Sequence, residues 1–306
     1  MMEVVGIGSA LFDILMTADG FPREDTKMQG KETKTQGGGP CAVALVAMGK
    51  LGVSSCYMGT LGDDMYGDYI KASFEKYGVD TRHIRRNPGE QSFHSFVLLN
   101  LQNSSRTCIW NKGTVTPPEP SDVDLEVLKN AKYLHLDGHQ LECAIYASQK
   151  AHEFGVTVSL DAGGTYPGIE RLLPHVDVLI PSEEFSLKIT GAKTAVEAAA
   201  ILQERYNPQI LIITQGSKGG FWWKDGQEVR YPVFPVDAVD SNGAGDTFHG
   251  AFVAARVKGM EVMEAATFAS ATSALKCTRF GAQAGIPHFD EVLEFMKNHE
   301  GVIRNA

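Results

Sequence analysis

The sequence has no long hydrophobic run, no excess of positive charge and no closely spaced cysteine pair, and each absence excludes a class of protein. No stretch approaches the roughly 20 consecutive apolar residues of a membrane-spanning helix. The formal net charge of −9 argues against nucleic acids and anionic membranes as partners, since both require a basic surface. Five scattered cysteines predict buried thiols in a reducing compartment. We therefore expect a cytoplasmic protein without a nucleic-acid or membrane partner.

The composition indicates a soluble globular chain, with 306 residues, 21% charged and 43% hydrophobic. From residue 121 onward, short apolar segments alternate with helical patterns, which predicts βαβ units and a parallel sheet. Two of the predicted strands end in Asp137 and Asp161. Polar residues at the carboxyl ends of parallel strands are typical of the edge at which such sheets bind ligands.

The strongest functional signal is a small-residue turn, Gly243-Ala244-Gly245, which precedes a helix with Asp246 in its first turn. The amides at a helix start have no partner inside the helix and attract anions such as phosphate. A carboxylate beside them is suited to take a proton from an attacking hydroxyl. The alternative is a loop whose Asp merely caps the helix, and a short motif alone does not exclude it.

A second glycine-rich turn precedes the helix that begins near Pro40. Gly38 and Gly39 would let a ligand lie against the backbone, or would permit a tight helix–sheet contact. Near the first predicted strand, Gly6 and Gly8 begin a dinucleotide-binding pattern, but Leu11 replaces its third glycine, which excludes that motif. Asp13 follows this strand, either as an acceptor for substrate hydroxyls or as a turn residue.

Two segments, at about 14–36 and 91–113, predict β structure outside the main core. The second contains a hairpin, from 93–101 and 107–110, which we expect to pair with residues 25–35. A small sheet there would form a lid that excludes water from a reacting phosphoryl group. The same sheet would also offer a surface through which two copies of the chain form a homodimer.

Several motifs together resemble the PfkB/ribokinase family of sugar kinases along essentially the whole chain. They are Asp240-Ser241-Asn242-Gly243-Ala244-Gly245-Asp246, Gly37-Gly38-x-Pro40, Gly59 to Gly67, and Thr214-Gln215-Gly216-Ser217-Lys218-Gly219. The resemblance implies an α/β fold: a ribokinase-like, doubly wound, mostly parallel sheet flanked by helices, with a small β-sheet lid. Residues 1–306 would form this single domain. The glycine-rich start at 37–40 and the C-terminal segments at 274–279 and 284–287 are most similar to a bacterial branch that includes sulfofructose kinases.

The implied activity is transfer of the γ-phosphoryl group of ATP to a primary hydroxyl of a ketose or pentose-type sugar. Asp246 would be the general base, and the amides of Gly243, Ala244 and Gly245 the anion hole. The implied sugar ligands are Asp13, Gly38, Gly39 and Asp246, with Lys27 and Asn111 where the lid meets a polar or anionic end of the substrate. The implied nucleotide ligands are Thr214, Gly216, Gly219, Gly243, Gly245 and Ala274. A nucleoside or sugar-phosphate kinase, or a non-catalytic sugar or nucleotide sensor, are the alternatives.

The resemblance also implies metal ions. Mg²⁺ would accompany ATP, but the family's Asn-x-x-Glu motif is replaced by Ser182-Glu183-Glu184-Phe185, which leaves Glu183 as a ligand through water. Many members also use a monovalent cation such as K⁺. Its implied ligands are the carbonyl groups of Asp240, Asn242, Lys276, Arg279 and Gly281, although Gly285 replaces the usual Ser or Asn of that loop.

Overall fold

The computed structural model describes residues 2–103 and 105–304. Its strands, in chain order, are β1 (Val4–Ile7), β2 (Leu11–Ala18), β3 (Glu32–Gly38), β4 (Ser55–Tyr57), β5 (Gly59–Gly62), β6 (Val79–Asp80), β7 (Ile84–Asn87), β8 (His94–Asn100), β9 (Arg106–Asn111), β10 (Tyr133–Leu136), β11 (Thr157–Ala162), β12 (Val178–Pro181), β13 (Ile210–Thr214), β14 (Gly220–Lys224) and β15 (Gln227–Arg230).

The helices alternate with these strands along most of the chain, as the sequence pattern predicts. They are α1 (Pro40–Lys50), α2 (Met65–Lys76), α3 (Leu125–Lys129), α4 (Leu141–Phe154), α5 (Glu183–Thr190), α6 (Ala195–Tyr206), α7 (Ala244–Val257), α8 (Val262–Cys277), α9 (Phe289–Asn298) and α10 (Glu300–Arg304). None of the helices that the structure describes combines the length and hydrophobicity needed to cross a lipid bilayer.

The larger sheet contains nine strands within the described part of the chain, in the order β15-β14-β13-β12-β11-β10-β1-β4-β6. From β13 to β6 each neighbouring pair is parallel, whereas β14 and β15 are antiparallel additions at one side. Because parallel strands share a direction, the carboxyl ends of β1, β10, β11, β12 and β13 meet at one edge. The predicted α/β fold with a mostly parallel sheet is confirmed.

Helices cover both faces of the larger sheet, and alternate residues of each strand face opposite cores. Val4 and Ile212 belong to the core that contains the buried side chains of α1, α7 and α8. Their neighbours Val5 and Leu211 belong to the second core, with α4, α5 and α6. Burial on both faces explains why these strands are continuously apolar in sequence.

Close packing of α7 against α1 fixes the position of the start of α7. At Gly250, a Cβ atom would lie 2.3 Å from the carbonyl oxygen of Ala44. Any larger residue would therefore force the two helices apart. Both helices begin after glycine-rich turns, so this contact holds the two turns on the same side of the sheet.

The smaller sheet contains four described strands in the order β3-β2-β8-β9. The predicted hairpin of β8 and β9 is present. Ser104, between these two strands, lies outside the described residues. The expected pairing of this hairpin with residues 25–35 is wrong, because β2 lies between them. Strand β2 pairs antiparallel with β3 and parallel with β8. The smaller sheet therefore begins at Leu11, before residue 14, where the first lid segment was predicted to begin.

All four strands of the smaller sheet join the rest of the chain at the same end. There β2 begins at Leu11, opposite Gly38, the last residue of β3. Next to them, β8 begins at His94, opposite Phe12, and β9 ends at Asn111, opposite His94. The sheet projects from this row of residues, with its connecting turns at the far end.

Residues 55–62 form two short strands that belong to different sheets. They are separated at Met58, so that β4 joins the larger sheet and β5 pairs with β7. A Cβ atom at Gly59 would lie 2.5 Å from the Tyr57 hydroxyl. The chain thus bends back closely against the Tyr57 side chain. A residue larger than glycine at position 59 would prevent this bend.

Candidate active site

A cavity of about 680 Å³ lies between the carboxyl edge of the larger sheet and the smaller sheet. It brings together residues that are far apart in sequence and that the motifs single out. The predicted residues that line it are Asp13, Gly38, Gly39, Asn242, Gly243 and Asp246. The remaining walls come mainly from the smaller sheet and from the loop after β10.

The start of α7 presents its first-turn amides beside this cavity. Gly243 is the N-cap residue, with φ of 76°, and Asp246 is the third residue of the helix. The Ala244 amide donates to the carbonyl oxygen of Ser241 at 3.2 Å, and the Thr247 amide to that of Gly243 at 2.9 Å. The left-handed conformation at Gly243, which disfavours side chains, turns the chain sharply into the helix and directs its positive end toward the cavity.

Two buried titratable side chains, His249 and Asp161, lie close enough to the Asp246 carboxyl group to influence its pKa. One turn further along α7, Nε2 of His249 is 3.1 Å from Oδ1 of Asp161, the residue at the end of β11. Burial and, to a smaller extent, the negative charge of Asp161 together raise the pKa of Asp246 to about 7, although His249 opposes this. A carboxyl group with a pKa near neutrality is matched to general-base catalysis.

Asp13 lies on β2 of the smaller sheet and not on a turn after β1. Its side chain is buried, and Oδ1 accepts a short hydrogen bond from the Ser95 hydroxyl on β8. Burial raises the pKa of Asp13, while the hydrogen bonds from Ser95 and Gln36 act against this effect. A Cβ atom at Gly38 would lie 2.4 Å from Oδ2 of Asp13. The glycine therefore leaves this carboxylate room to face the cavity.

Asp137, at the carboxyl end of β10, binds the backbone below the cavity. Its Oδ2 accepts from the amides of Ser9 at 2.8 Å and Cys41 at 3.1 Å. Although burial alone would raise the pKa of Asp137, hydrogen bonds from His139 and Ser9 hold it well below its usual range. This carboxylate joins the ends of two strands to the start of α1, and its role is to position the glycine-rich turn at Gly39.

Three basic side chains also line the cavity: Arg106, Lys112 and His139. Arg106, on β9, donates through Nη1 to Oδ1 of Asn242 at 3.3 Å, which connects the smaller sheet to the loop before α7. The His139 ring lies 4.2 Å from that of Tyr166. Burial lowers the pKa of His139, but the adjacent Asp137 carboxylate raises it by more. The cavity therefore combines acidic and basic groups.

The two residues expected at a polar end of the substrate lie elsewhere in this structure. Both Lys27 and Asn111 are exposed, and neither is among the described residues that line the cavity. Oδ1 of Asn111 accepts from the Gly113 amide at 2.9 Å, which fixes the end of β9. Arg106 and Lys112, close to Asn111 in sequence, reach the cavity instead.

The residues expected to bind nucleotide lie further along the same sheet edge or on α7 and α8. Thr214 ends β13, and Gly216 and Gly219, with φ of 58° and 82°, form the turn after it. Glu183 begins α5, and its Oε1 accepts from Nε2 of Gln215 at 2.8 Å. Gly245 is exposed at the start of α7, and Ala274 is half-buried on α8. Helix α7 contacts β11 through His249 and Asp161, and β11 lies between β10, beside the cavity, and β13, which these turns follow.

Four of the five carbonyl groups expected to hold a monovalent cation accept hydrogen bonds from the protein itself. The Lys276 ammonium group donates to the carbonyl oxygens of Asp240, at 2.8 Å, and Asn242. The Arg279 amide donates to the carbonyl oxygen of Lys276, and the Gly285 amide to that of Gly281, both at 3.0 Å. Because the positively charged Lys276 ammonium group already occupies the space in front of the Asp240 and Asn242 oxygens, the residues at this position do not fit a bound K⁺.

Several residues that shape the site carried weak or no sequence signals. Ser95 is an ordinary member of a predicted strand and Arg106 directly precedes another, and only the pairing of β2, β8 and β9 places them at the cavity. The pairing of His249 with Asp161 was also missed, although its position one turn after Asp246 was a usable signal. Lys276 was expected to contribute its carbonyl group, whereas its side chain makes the informative contacts.

Comparisons with known proteins identify what this arrangement resembles. A family model described as pfkB family carbohydrate kinase matches residues 1–288. A ribokinase from Bacillus subtilis (strain 168) is 28% identical, over 97% of this chain and 100% of that protein. An ATP-dependent ribose-1-phosphate kinase from Halopiger xanaduensis is also 28% identical, over 97% of this chain and 98% of the relative. The structure of Arabidopsis thaliana ribokinase complexed with ribose and ATP superimposes with a TM-score of 0.86, at 28% identity, covering 97% of this chain and 99% of the other.

Proposed function

Because this chain belongs to the pfkB family of carbohydrate kinases, we propose that it transfers the γ-phosphoryl group of ATP to a primary hydroxyl of a ketose or pentose-type sugar. The observation that carries this proposal is the position of Asp246, which lines the cavity at the start of α7. A sugar hydroxyl in the cavity would meet the carboxylate of Asp246 and the anion-binding end of the helix together.

In the proposed reaction, Asp246 accepts the proton of the attacking hydroxyl. Since the Ala244 amide is engaged with Ser241, the amides of Gly243 and Gly245 are the ones we assign to the transferring phosphoryl group. These donors are fixed before the reaction begins, which is the condition under which they stabilise developing charge most effectively. Asp13, held by Ser95, would accept hydrogen bonds from other sugar hydroxyls.

We assign the nucleotide to the turns beyond α7. Thr214, Gly216 and Gly219 would hold it, with Ala274 on α8 beside it. Mg²⁺ bound to its phosphates supplies charge neutralisation when present. We assign Glu183 to orient that ion through water, and its hydrogen bond from Gln215 supports this assignment because it fixes the carboxylate.

A phosphorylated sugar is the second candidate substrate. Arg106, Lys112 and His139 line the cavity together, and such side chains bind phosphate through charge-assisted hydrogen bonds. A relative that matches this chain over nearly its full length is a ribose-1-phosphate kinase. A neutral sugar would use the same groups as hydrogen-bond donors to hydroxyls.

The function is tested by measuring ADP release from ATP and Mg²⁺ with a panel of acceptors. The panel contains ketoses, pentoses, nucleosides and the phosphorylated or sulfonated forms of the sugars. We expect one neutral ketose or pentose to raise turnover far above the acceptor-free rate. Preference for a phosphorylated sugar would support the second candidate. If no acceptor raises turnover while ATP binds, the proposed catalysis is refuted in favour of a sensor.

The proposed base gives the reaction a defined pH dependence. Asp246 must be unprotonated to accept a proton, so kcat/KM should fall as the pH drops below its pKa of about 7, by about tenfold per pH unit. Asp161→Asn removes a negative charge that raises this pKa, and should move the acid limb to lower pH. His249→Gln removes the opposing group, and should move the limb to higher pH.

These shifts are measured as pH profiles of kcat/KM for the acceptor that the panel identifies. The matched control is Asp237→Asn, which removes an exposed carboxylate whose charge is screened by water; its profile should coincide with that of the unchanged protein. Shifts of both active-site variants in the same direction, or of neither, would exclude the assigned electrostatics.

We also propose that the smaller sheet mediates a homodimer. Its strand β9 is exposed along its whole length, and Phe96, Leu101 and Ile109 expose large apolar side chains on or beside this sheet. An exposed apolar edge of this kind favours pairing with a second copy. Sedimentation of the unchanged protein should give the dimer mass and Ile109→Lys the monomer mass; a monomeric unchanged protein would contradict the assignment.

A further inference from the structure

Lys276 is a lysine without solvent access, and its ammonium group binds backbone rather than a surface carboxylate. The residue is fully buried near the end of α8. Its Nζ donates to the carbonyl oxygens of Asp240 and Asn242, and lies 4.0 Å from Oδ2 of Asp240. Burying a charged group is costly unless it is paired and hydrogen-bonded, and these oxygens supply that compensation.

The loop that Lys276 holds is the one that positions the start of α7. Two residues of this loop accept from the ammonium group, and the next residue, Gly243, is the N-cap of the helix. The carboxylate of Asp240 is fixed as well, because Oδ1 accepts from the Asn242 amide at 2.9 Å and Oδ2 from the Gly281 amide at 2.8 Å. A positive charge thus lies behind the turn that would receive the phosphoryl group.

We propose that the Lys276 ammonium group is a built-in cation, which holds the 240–242 loop in the place of a monovalent ion from solution. Turnover of this protein is therefore independent of K⁺. The inference rests on the proposed kinase function, because the loop's task is to position the amides of Gly243 and Gly245. Lys276 acts through these amides and is a positioning residue.

The geometry makes the ammonium group and a bound ion mutually exclusive. Both would need the same two carbonyl oxygens, and a second positive charge beside Nζ would be strongly repelled at this short distance in a buried site. Removing the side chain with Lys276→Ala leaves both the oxygens and a space between them. A small cation from solution should then occupy that space, whereas a bulky one should not.

The experiment compares initial rates in tetramethylammonium, methylammonium and potassium chloride at equal ionic strength. The unchanged protein should react equally fast in all three salts. Lys276→Ala should lose about 10²-fold in tetramethylammonium, since a displaced loop misplaces the reacting groups, and methylammonium or K⁺ should restore much of this loss. Lys276→Met, which fills the space without a charge, should remain slow in every salt.

A second readout does not depend on catalysis. K⁺ or methylammonium should raise the Tm of Lys276→Ala, but not that of the unchanged protein or of Lys276→Met. Lys258→Ala is the matched control, because this lysine is exposed at the opposite end of α7, with Nζ 4.7 Å from the centre of the Phe289 ring. Its rate and Tm should show no response to these cations beyond that of the unchanged protein.

The outcomes separate this inference from the proposed function. Stimulation of the unchanged protein by K⁺, a Lys276→Met variant as fast as the unchanged protein, or the absence of any rescue in Lys276→Ala would each overturn the built-in cation. Absence of phosphoryl transfer by the unchanged protein would overturn the kinase proposal instead. In that case the Tm measurements still decide whether Lys276 occupies a cation position.

Discussion

Asp246→Asn should lower kcat by about 10²- to 10⁴-fold, the usual contribution of a general base. The amide has nearly the same shape as the carboxylate but cannot accept the proton of the attacking hydroxyl. Affinity for the nucleotide should change little, because the amides of Gly243 and Gly245 and the turn at Thr214 are untouched. Rate measurements with the preferred acceptor and calorimetric titration with ATP test both parts.

Asp237→Asn is again the matched control, since it makes the same chemical change at an exposed position of the preceding loop. Its kcat should match that of the unchanged protein. A kcat for Asp246→Asn near that of the control would refute Asp246 as the base. Loss of ATP binding together with turnover would instead show that the substitution disturbs the start of α7.

Gly39→Ala should reduce the free energy of unfolding by about 2–6 kcal/mol. Gly39 has φ of 98° and ψ of 134°, a backbone region that costs a residue with a side chain roughly 1–3 kcal/mol. Its Cβ would also lie 2.6 Å from the carbonyl oxygen of Ser9, and such overlap in a packed region costs roughly a further 1–3 kcal/mol. Urea unfolding measures the change, and kcat/KM should fall with it because Gly38 and Asp13 move.

Gly155→Ala separates the two causes of this destabilisation. Gly155 is the C-cap residue of α4, with φ of 74°, and no described atom beyond its own residue and its two chain neighbours lies within 4 Å of the position that its Cβ would take. Only the left-handed conformation then contributes, at about 1–2 kcal/mol, and activity should be retained. Equal losses of stability in the two variants would show that contact with Ser9 is unimportant.

The parts of the fold that the sequence predicts are those governed by local pattern. Continuous apolar strands separated by helices indicated the parallel sheet, and Gly243–Gly245 before an apolar helix indicated the start of α7, to which we assign phosphate binding. Pairing partners of the smaller sheet are long-range choices that alternation of residues does not encode. For this reason β2, with Asp13 on it, was not expected between β3 and β8.

In the candidate site, too, residues set by local sequence pattern were predicted, whereas residues placed by long-range pairing were not. Motif positions such as Asp246 and Gly39 were identified because their chemistry depends on backbone turns that leave a trace in sequence. Arg106 and Ser95 were not, since their role depends on which strand lies across the cavity. Lys276 lies between these two cases. The sequence motifs predict a role for its backbone carbonyl group, but only the folded chain shows that its side chain reaches the Asp240 carbonyl group, 36 residues earlier.

Because the smaller sheet is attached along one row of residues, it would, under the proposed function, act as a flap hinged beside the sugar. When a flap rotates about its hinge, each point moves in proportion to its distance from the axis. Asp13 is two residues from Leu11 on the row, roughly 7 Å away, whereas Ala18 at the far end of β2 is roughly 23 Å away at the rise of a strand. A swing that moves the tip of the flap by several ångströms therefore displaces Asp13 by only about a third as much. Under the proposed function, such a swing would open a wide route for the substrate to enter and leave while Asp13, the assigned sugar ligand, stays nearly in place.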